Sequence, residues 1–475
     1  MRYVSFEKNG NDETIVRRTR KIMLPSLKKA TYAAKCMFFG CLAVAAVNAF
    51  ATPSVIPTGV TASVPGKAYD CDVLFTGADH KTYLIDIKGN VVKQWDVEGF
   101  PARIVEPGLV NGKKGVLGAQ LSAAEVKDGP AGTGVVPGQP ALYRNKSVGL
   151  VDWEGKTIWQ WGNQAPGGAA RQHHDWAVLP NGHMLILANS SYAIPGFGKR
   201  VMLDDVICEV DAQGNIVWTW KASDHLNEFG FTPAQLSDIK QKSAVDYLHT
   251  NDMQVLGPNR WEKAGDSRFA QNNIMISSRD SNFTAIISRE TGKVVWRIGP
   301  DYPSRNDFRP EITPRPVDQI SGQHDAHMIP KGLPGAGNIL LFDNQGEAGY
   351  PPVELEVTGG SRVLEINPVS KEIVWEYTGA SSGDANWSFF SPFISSAQRL
   401  PNGNTLIDEG VSGRFFQVTP QGEIVWEYVS PFKGEAPVPP TPGHPKAISN
   451  WVYRIQGVPL DWVPSDKFST SISQN

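Results

Sequence analysis

The sequence predicts an all-β fold, a six-bladed β-propeller preceded by an N-terminal export signal. Three observations carry this prediction: a short hairpin that recurs six times, a composition rich in turn and aromatic residues, and the absence of a helical repeat. The six copies are YLIDIKGNVVKQW, VGLVDWEGKTIWQW, CEVDAQGNIVWTW, AIISRETGKVVWRI, VLEINPVSKEIVWEY and FFQVTPQGEIVWEY. Gly155 and Trp159, Gly214 and Trp218, Gly292 and Trp296, and Gly422 and Trp426 keep one spacing. Gly89 with Lys93 and Lys371 with Trp375 are degenerate forms of it. Each copy alternates apolar and polar residues about a tight turn, which suits two antiparallel strands with one buried face. No such unit can bury its own face, so units recurring every 51 to 79 residues must stack or close into a ring. Six of them fit a six-bladed propeller, with the tryptophans packing between blades. The 46 Gly, 35 Pro and 14 Trp agree with many turns and short strands. A length of 475 residues suggests about three domains by ordinary priors, but a closed ring of repeats is one.

The N-terminus reads as a targeting segment. Cys36 to Val47 is an apolar run preceded by Lys28, Lys29 and Lys35 and followed by Ala49-Phe50-Ala51, a small-x-small cleavage site. The run is shorter than the ~20 residues of a spanning helix. Residues 1–51 are therefore expected to be a signal peptide, with Met1 or Met23 as the start, and 52–475 the propeller domain of an exported protein without a stable membrane anchor. Cleavage removes nine Lys/Arg and three Asp/Glu, taking the formal net charge from −3 to −9, which disfavours nucleic acid as a partner. Cys71 and Cys208 alone remain, and pairing them requires their Cα atoms to come within bridging distance. No zinc-like or calcium-like spacing occurs, so no metal and no cofactor are expected.

Ahead of each hairpin lies an entry strand, and the innermost strands of a propeller line its channel. HHDWAVL, NDMQVL, HDAHMI and SSAQRL are the clearest of these, whereas residues 104–148 fit the repeat worst. Counting back five positions from the apolar residues Leu179, Leu256, Ile329 and Leu400 gives His174, Asn251, His324 and Ser395. Polar groups in phase on successive blades converge at one height on one axis. Residues 222–248, with a short helix capped by Thr232 and begun by Pro233, and residues 301–323 both lead into histidine-bearing segments and are expected to lie over the channel mouth. The tail after Pro445 reads as a strand that completes another blade.

The segments QHHDWAVLPNG, DYLHTNDMQVL, NNIMISSRDSN, and GQHDAHMIP followed by GNILLFDN resemble those of the bacterial arylsulfotransferases, which do not depend on 3′-phosphoadenylyl sulfate. The resemblance spans about residues 71 to 463 and implies a six-bladed propeller that moves a sulfuryl group from a phenolic sulfate donor to an acceptor phenol through a sulfohistidine. It places the nucleophile at His324 and supporting roles at His174, His249 and Arg279. Asn251, Asn344 and His173 join them as substrate contacts, although His173, like His327, falls on the opposite strand face.

The residue chemistry supports the same site. A neutral imidazole attacks near neutral pH and yields a reactive N-sulfo product. Arg279 offers a planar fork of donors to sulfuryl oxygens, and His174 and His249 can donate to the others. One of these two histidines would take the acceptor's proton. The competing reading, a binding module or quinoprotein-like propeller of the cell envelope, rests on the T-G-K-V-V-W stretch alone. The oligomeric state is left open: only about twenty residues separate the signal from the first repeat, too few for the N-terminal domain through which some family members dimerise.

Overall fold

The computed structural model describes residues 57–122, 145–242, 245–299, 320–346, 348–349, 352–353, 359–436 and 446–465. Six antiparallel sheets of four or five strands follow one another around a ring. In each, the recurring hairpin forms the two outer strands, with one further strand added outside it in blade 6. The inner strand comes from the segment just before it, except in blade 1.

Blade 1 joins Asp72–Thr76, Thr82–Ile85 and Val91–Trp95 to the C-terminal strand Ile455–Val458, which lies innermost. Blade 2 is Glu98–Ile104, Leu117–Ser122, Ser147–Val151 and Thr157–Trp161. Blade 3 is Gln172–Val178, Met184–Ala193, Val201–Val210 and Ile216–Lys221. Blade 4 is Thr250–Val255, Ile274–Ser278, Phe283–Ile287 and Val294–Ile298. Blade 5 is His324–Met328, Ile339–Asp343, Arg362–Ile366 and Ile373–Tyr377. Blade 6 is Ser396–Arg399, Thr405–Glu409, Arg414–Val418 and Ile424–Val429, with Gly59–Ser63 as a fifth, outermost strand. Both ends of the ring are thus sewn in. Gly59–Ser63 pairs with Ile424–Val429, and Ile455–Val458 pairs with Asp72–Thr76.

The hairpin turns show why the glycine recurs. Gly89, Gly155, Gly214 and Gly422 have φ near +85°, a region that costs any residue with a Cβ. At the degenerate copy Lys371 takes φ +59° instead. The tryptophans have a definite task as well. Trp161 donates to the Gly214 carbonyl at 3.2 Å, Trp220 to Gly292 at 2.9 Å, Trp296 to Pro368 at 2.7 Å, Trp375 to Pro420 at 2.9 Å and Trp426 to Ile87 at 2.7 Å. Each bond runs from an outer strand to a turn of the next blade, and the last returns to blade 1. The seam between blades 1 and 2 differs. There Trp95 meets Trp153 edge-on at 5.4 Å, Lys93 stands where the other copies carry Trp, and the Trp95 Nε1 has no hydrogen-bond partner among the described residues.

The core is distributed rather than central: one apolar cluster fills each of the six seams. Between blades 3 and 4 it includes Leu185, Met202, Ile207, Met253, Ile276 and Phe283. The 222–242 segment packs into this same cluster through Leu226, Phe229, Phe231 and Ile239, so it is fastened down over that seam. Its helix, Pro233–Lys242, starts as expected, with Thr232 Oγ1 accepting from the Gln235 N–H at 3.2 Å and Gln235 Oε1 accepting from the Thr232 N–H at 2.8 Å. The companion loop before His324 falls almost entirely outside the described residues, as does the 1–51 leader. Cys71 and Cys208 are unpaired thiols buried in different seams, which settles their pairing in the negative; burial pushes them up to about 12 and about 11. Among the described residues no helix is long and apolar enough to cross a membrane.

Candidate functional site at one mouth of the channel

The inner strands do not run regularly to their starts. Pairing slips between Thr250 and Asp252, between His324 and His327, and across 173–175 opposite Ile186 and Ala188. Such bulges re-aim side chains next to sites. The backbone follows suit, with positive φ at His174 (56°), His249 (52°), Asp325 (55°), Ile394 (57°) and Ser395 (89°). Strain of this kind persists only where surroundings over-determine it. Its concentration at one mouth marks that mouth as the place to look.

His174, His249 and His324 come together there, with Arg279 beside them. The His174 and His249 rings lie 4.7 Å apart at 68°. His324 is 2% exposed, and its pKa falls well below the ordinary histidine value, first through burial and then through the nearby charges of Arg279, His249 and Arg454. It is therefore neutral at working pH. Its Nδ1 donates to the Gly322 carbonyl at 2.9 Å and to Asn344 Oδ1 at 2.8 Å, which leaves Nε2 as the acceptor, and that atom receives the Ile394 N–H at 3.1 Å. His174 is buried and likewise held well below the usual value, by burial first and by His249, His173 and His324 after it.

His249 is the opposite case. Burial disfavours its charge, but Asp246, whose Oδ2 is 2.7 Å from Nδ1, outweighs burial together with Asp280 and raises its pKa. Arg279 donates from Nη1 to Asp280 Oδ1 at 2.9 Å, while its buried Nε has no hydrogen-bond partner among the described residues. The mouth thus holds two neutral imidazoles, one imidazole biased toward the cation, and one guanidinium with an unsatisfied donor. That is the donor set for a tetrahedral anion.

The remaining expected residues lie behind this surface. Asn344 is buried, its Oδ1 on His324 and its Nδ2 on the Ser391 and Ile394 carbonyls at 2.7 and 2.8 Å. Asn251 donates to the Gln323 carbonyl at 2.7 Å, and its own carbonyl accepts from Tyr453 Oη at 2.9 Å. His173 is buried with Nδ1 2.8 Å from His174 Nδ1. His327 bonds through Nδ1 to the Asp325 carbonyl at 2.9 Å, within its own strand.

Sequence reasoning overlooked the floor of the site. Asp175, Asp252 and Asp325 follow His174, Asn251 and His324 directly, so they are in phase too, and all three face Arg454 of the C-terminal strand region. Arg454 Nη1 is 2.8 Å from Asp175 and 3.0 Å from Asp252, and Nε is 3.3 Å from Asp325. The last approach is an ion pair by distance without an aligned hydrogen bond. Arg103 adds a second cation on Asp175, and the two arginines overcome burial to hold that carboxyl at about 2. Asp252 goes the other way, well above the carboxylate range, through burial. Also overlooked were the aromatic neighbours: Phe100 lies 4.6 Å and Tyr453 5.7 Å from the His174 ring, within an apolar patch that includes Ile394 and Trp451. The repeated H-D, N-D, H-D dipeptide was the available signal, since three buried carboxylates around one axis demand a cation. A cavity of about 370 Å³ lined by Leu179, Val255, Ile274 and Arg289 lies at the other ends of the inner strands of blades 3 and 4 and does not contain this chemistry.

Among solved structures the chain is similar to a protein of unknown function from Bacteroides caccae, at 11% identity over 82% of this chain and 98% of that one, with a TM-score of 0.42. It is also similar to a streptogramin B lyase, at 13% identity over 78% and 82% of the two chains and a TM-score of 0.34. The virginiamycin B lyase from Staphylococcus aureus gives 12% identity over 66% and 75% and a TM-score of 0.31. No curated protein matches the sequence. The profile of the Arylsulfotransferase (ASST) family matches residues 67–431, from the three outer strands of blade 1 through the strand Ile424–Val429 of blade 6. By that match the chain belongs to the arylsulfotransferase family.

Proposed function

We propose that this protein moves a sulfuryl group from a phenolic sulfate ester to an acceptor phenol through a sulfohistidine at His324. The observation that carries the reading is the fixed tautomer of His324: its Nδ1 proton is held by Gly322 and Asn344, so the lone pair is on Nε2 and the ring is neutral. Attack of Nε2 on sulfur breaks the S–O ester bond and forms an N–S bond, and the donor displaces the Ile394 N–H, which then stands close enough to donate to a sulfuryl oxygen. Arg279 and the cation-biased His249 face the three oxygens as charge gathers on them. Asn344 orients the nucleophile from behind, and Asn251 and His173 act through their neighbours. The leader before residue 52 supports export to the periplasm, where phenolic compounds meet the enzyme without a nucleotide donor.

Incubation with p-nitrophenyl sulfate, with and without phenol, tests the reading. Release of p-nitrophenol should depend on phenol and follow ping-pong kinetics, and donor alone should leave one sulfuryl group on the protein. His324→Asn should abolish both turnover and labelling. A label that maps to His327, or an active His324→Asn protein, would overturn the assignment.

A further inference from the structure

His174, His173 and Asp205 stand in a line of titratable groups, the last two of which move no proton in the transfer chemistry above. His174 Nδ1 is 2.8 Å from His173 Nδ1, and His173 Nε2 lies 3.5 Å from Asp205 Oδ1, an ion pair by distance without an aligned hydrogen bond, so a small rotation must close this link before a proton crosses it. All three are buried. Two Nδ1 atoms at that distance share one proton, so the tautomer of one ring dictates that of the other. Asp205 receives the Thr250 N–H on its other oxygen at 2.8 Å, and Asp246 and Asp204 are the neighbouring acids.

We propose that His174, His173 and Asp205 form a proton relay that lets His174 serve as general acid in one half-reaction and general base in the other by changing tautomer. The proposal rests on the sulfuryl-transfer reading above. At rest Asp205 carries a proton toward His173 Nε2, His173 donates from Nδ1, and His174 bears its proton on Nε2. When the donor's phenolate leaves sulfur, His174 Nε2 gives it that proton, His174 Nδ1 takes the one from His173, and His173 Nε2 takes the one from Asp205. The donor anion's charge ends on the Asp205 carboxylate while His324 holds the neutral SO₃ unit. The acceptor phenol then surrenders its proton to His174 Nε2 as its oxygen attacks sulfur, and the relay runs back. No proton is gained or lost over the cycle. Burial, with Asp246 beside it, pushes Asp205 up to about 8, which suits an acid that holds its proton at neutral pH and can release it. His173 is held down to about 4 by burial first, with the Asp246 charge and the Ala188 carbonyl working against that and the His249 charge adding to it, so it passes protons as a neutral ring.

The test has two readouts. ¹⁵N-histidine spectra of the exported wild-type protein, titrated from pH 6.5 to 9.5, should show His173 and His174 exchanging tautomers together as Asp205 ionises, and Asp205→Asn should hold them fixed across the range. Independent behaviour of the two rings would overturn the relay. In single-turnover experiments Asp205→Asn should slow sulfuryl transfer from phenyl sulfate about ten-fold more than from p-nitrophenyl sulfate, because the better leaving group needs less proton assistance. Equal losses for both donors would make Asp205 merely structural and also overturn the relay. The tautomer readout needs no turnover, so its failure leaves sulfuryl transfer standing, whereas a wild-type protein without phenol-dependent transfer sinks both.

Discussion

At the residue scale the site separates its histidines by charge. His324 and His174 are kept neutral chiefly by burial, and His249 is biased to the cation by Asp246 despite burial. The sign of the pH response follows. A nucleophile is lost on the acid side only as pH approaches its pKa, and an unperturbed imidazole of pKa ~6.5 would lose roughly thirty-fold by pH 5. Here kcat/KM for the donor should stay nearly level from pH 7 to 5; a fall of that size over this interval would mean that the nucleophile titrates as an ordinary histidine. Arg279→Lys keeps the charge but not the fork, and it removes the buried Nε donor that has no hydrogen-bond partner among the described residues. Turnover should drop about 10²- to 10³-fold, the usual loss for a transition-state donor, and steady-state kinetics will show it. Of these residues, His174 and His324 were legible from their common distance to a strand-ending apolar residue. His249 was not legible by phase, since the equivalent position is Asn251, and the bulge between Thr250 and Asp252 is what brings it in. The motif found it where periodicity could not.

At the element scale the hairpin repeat was readable because turn chemistry and strand alternation agree at each copy. The inner strand of blade 2 was not. Its sequence EGFPARI carries a proline, and its register jumps from Glu98 opposite Gln120 to Arg103 opposite Gly118, so the alternation is broken where a strand signal would be sought. The exception among the turns yields a prediction. Lys371 occupies the left-handed position that glycine fills in the other copies, so Lys371→Gly should stabilise the protein by about 0.5–1 kcal/mol once glycine's greater unfolded-state freedom is subtracted. A thermal melt that shifts downward would refute it. Trp426→Phe removes the bond to Ile87 that joins blade 6 to blade 1 and should cost about 1–2 kcal/mol, including the carbonyl left unsatisfied.

At the scale of the whole molecule, Arg454 binds the ring across its axis, meeting carboxylates from blades 3, 4 and 5 while its own strand closes blade 1. Removing one partner from a buried ion cluster typically costs about 3–5 kcal/mol, so Arg454→Met should lower the melting temperature sharply at neutral pH. The stranded carboxylates regain protons as pH falls, so the gap to wild type should narrow toward pH 4; a gap that stays constant would show that packing, not charge, is what Arg454 supplies. The closing strand was readable from the tail's apolar pattern, but its arginine's task depended on three aspartates brought together only by the ring. Closure by the last strand also has a consequence for timing. A ribosome must pass every blade before it makes Arg454, so the cation that steadies the floor beneath His174 and His324 is among the last parts of the ring to be made. An interrupted chain therefore carries the histidines without the cation that holds the three aspartates following His174, Asn251 and His324 about one axis.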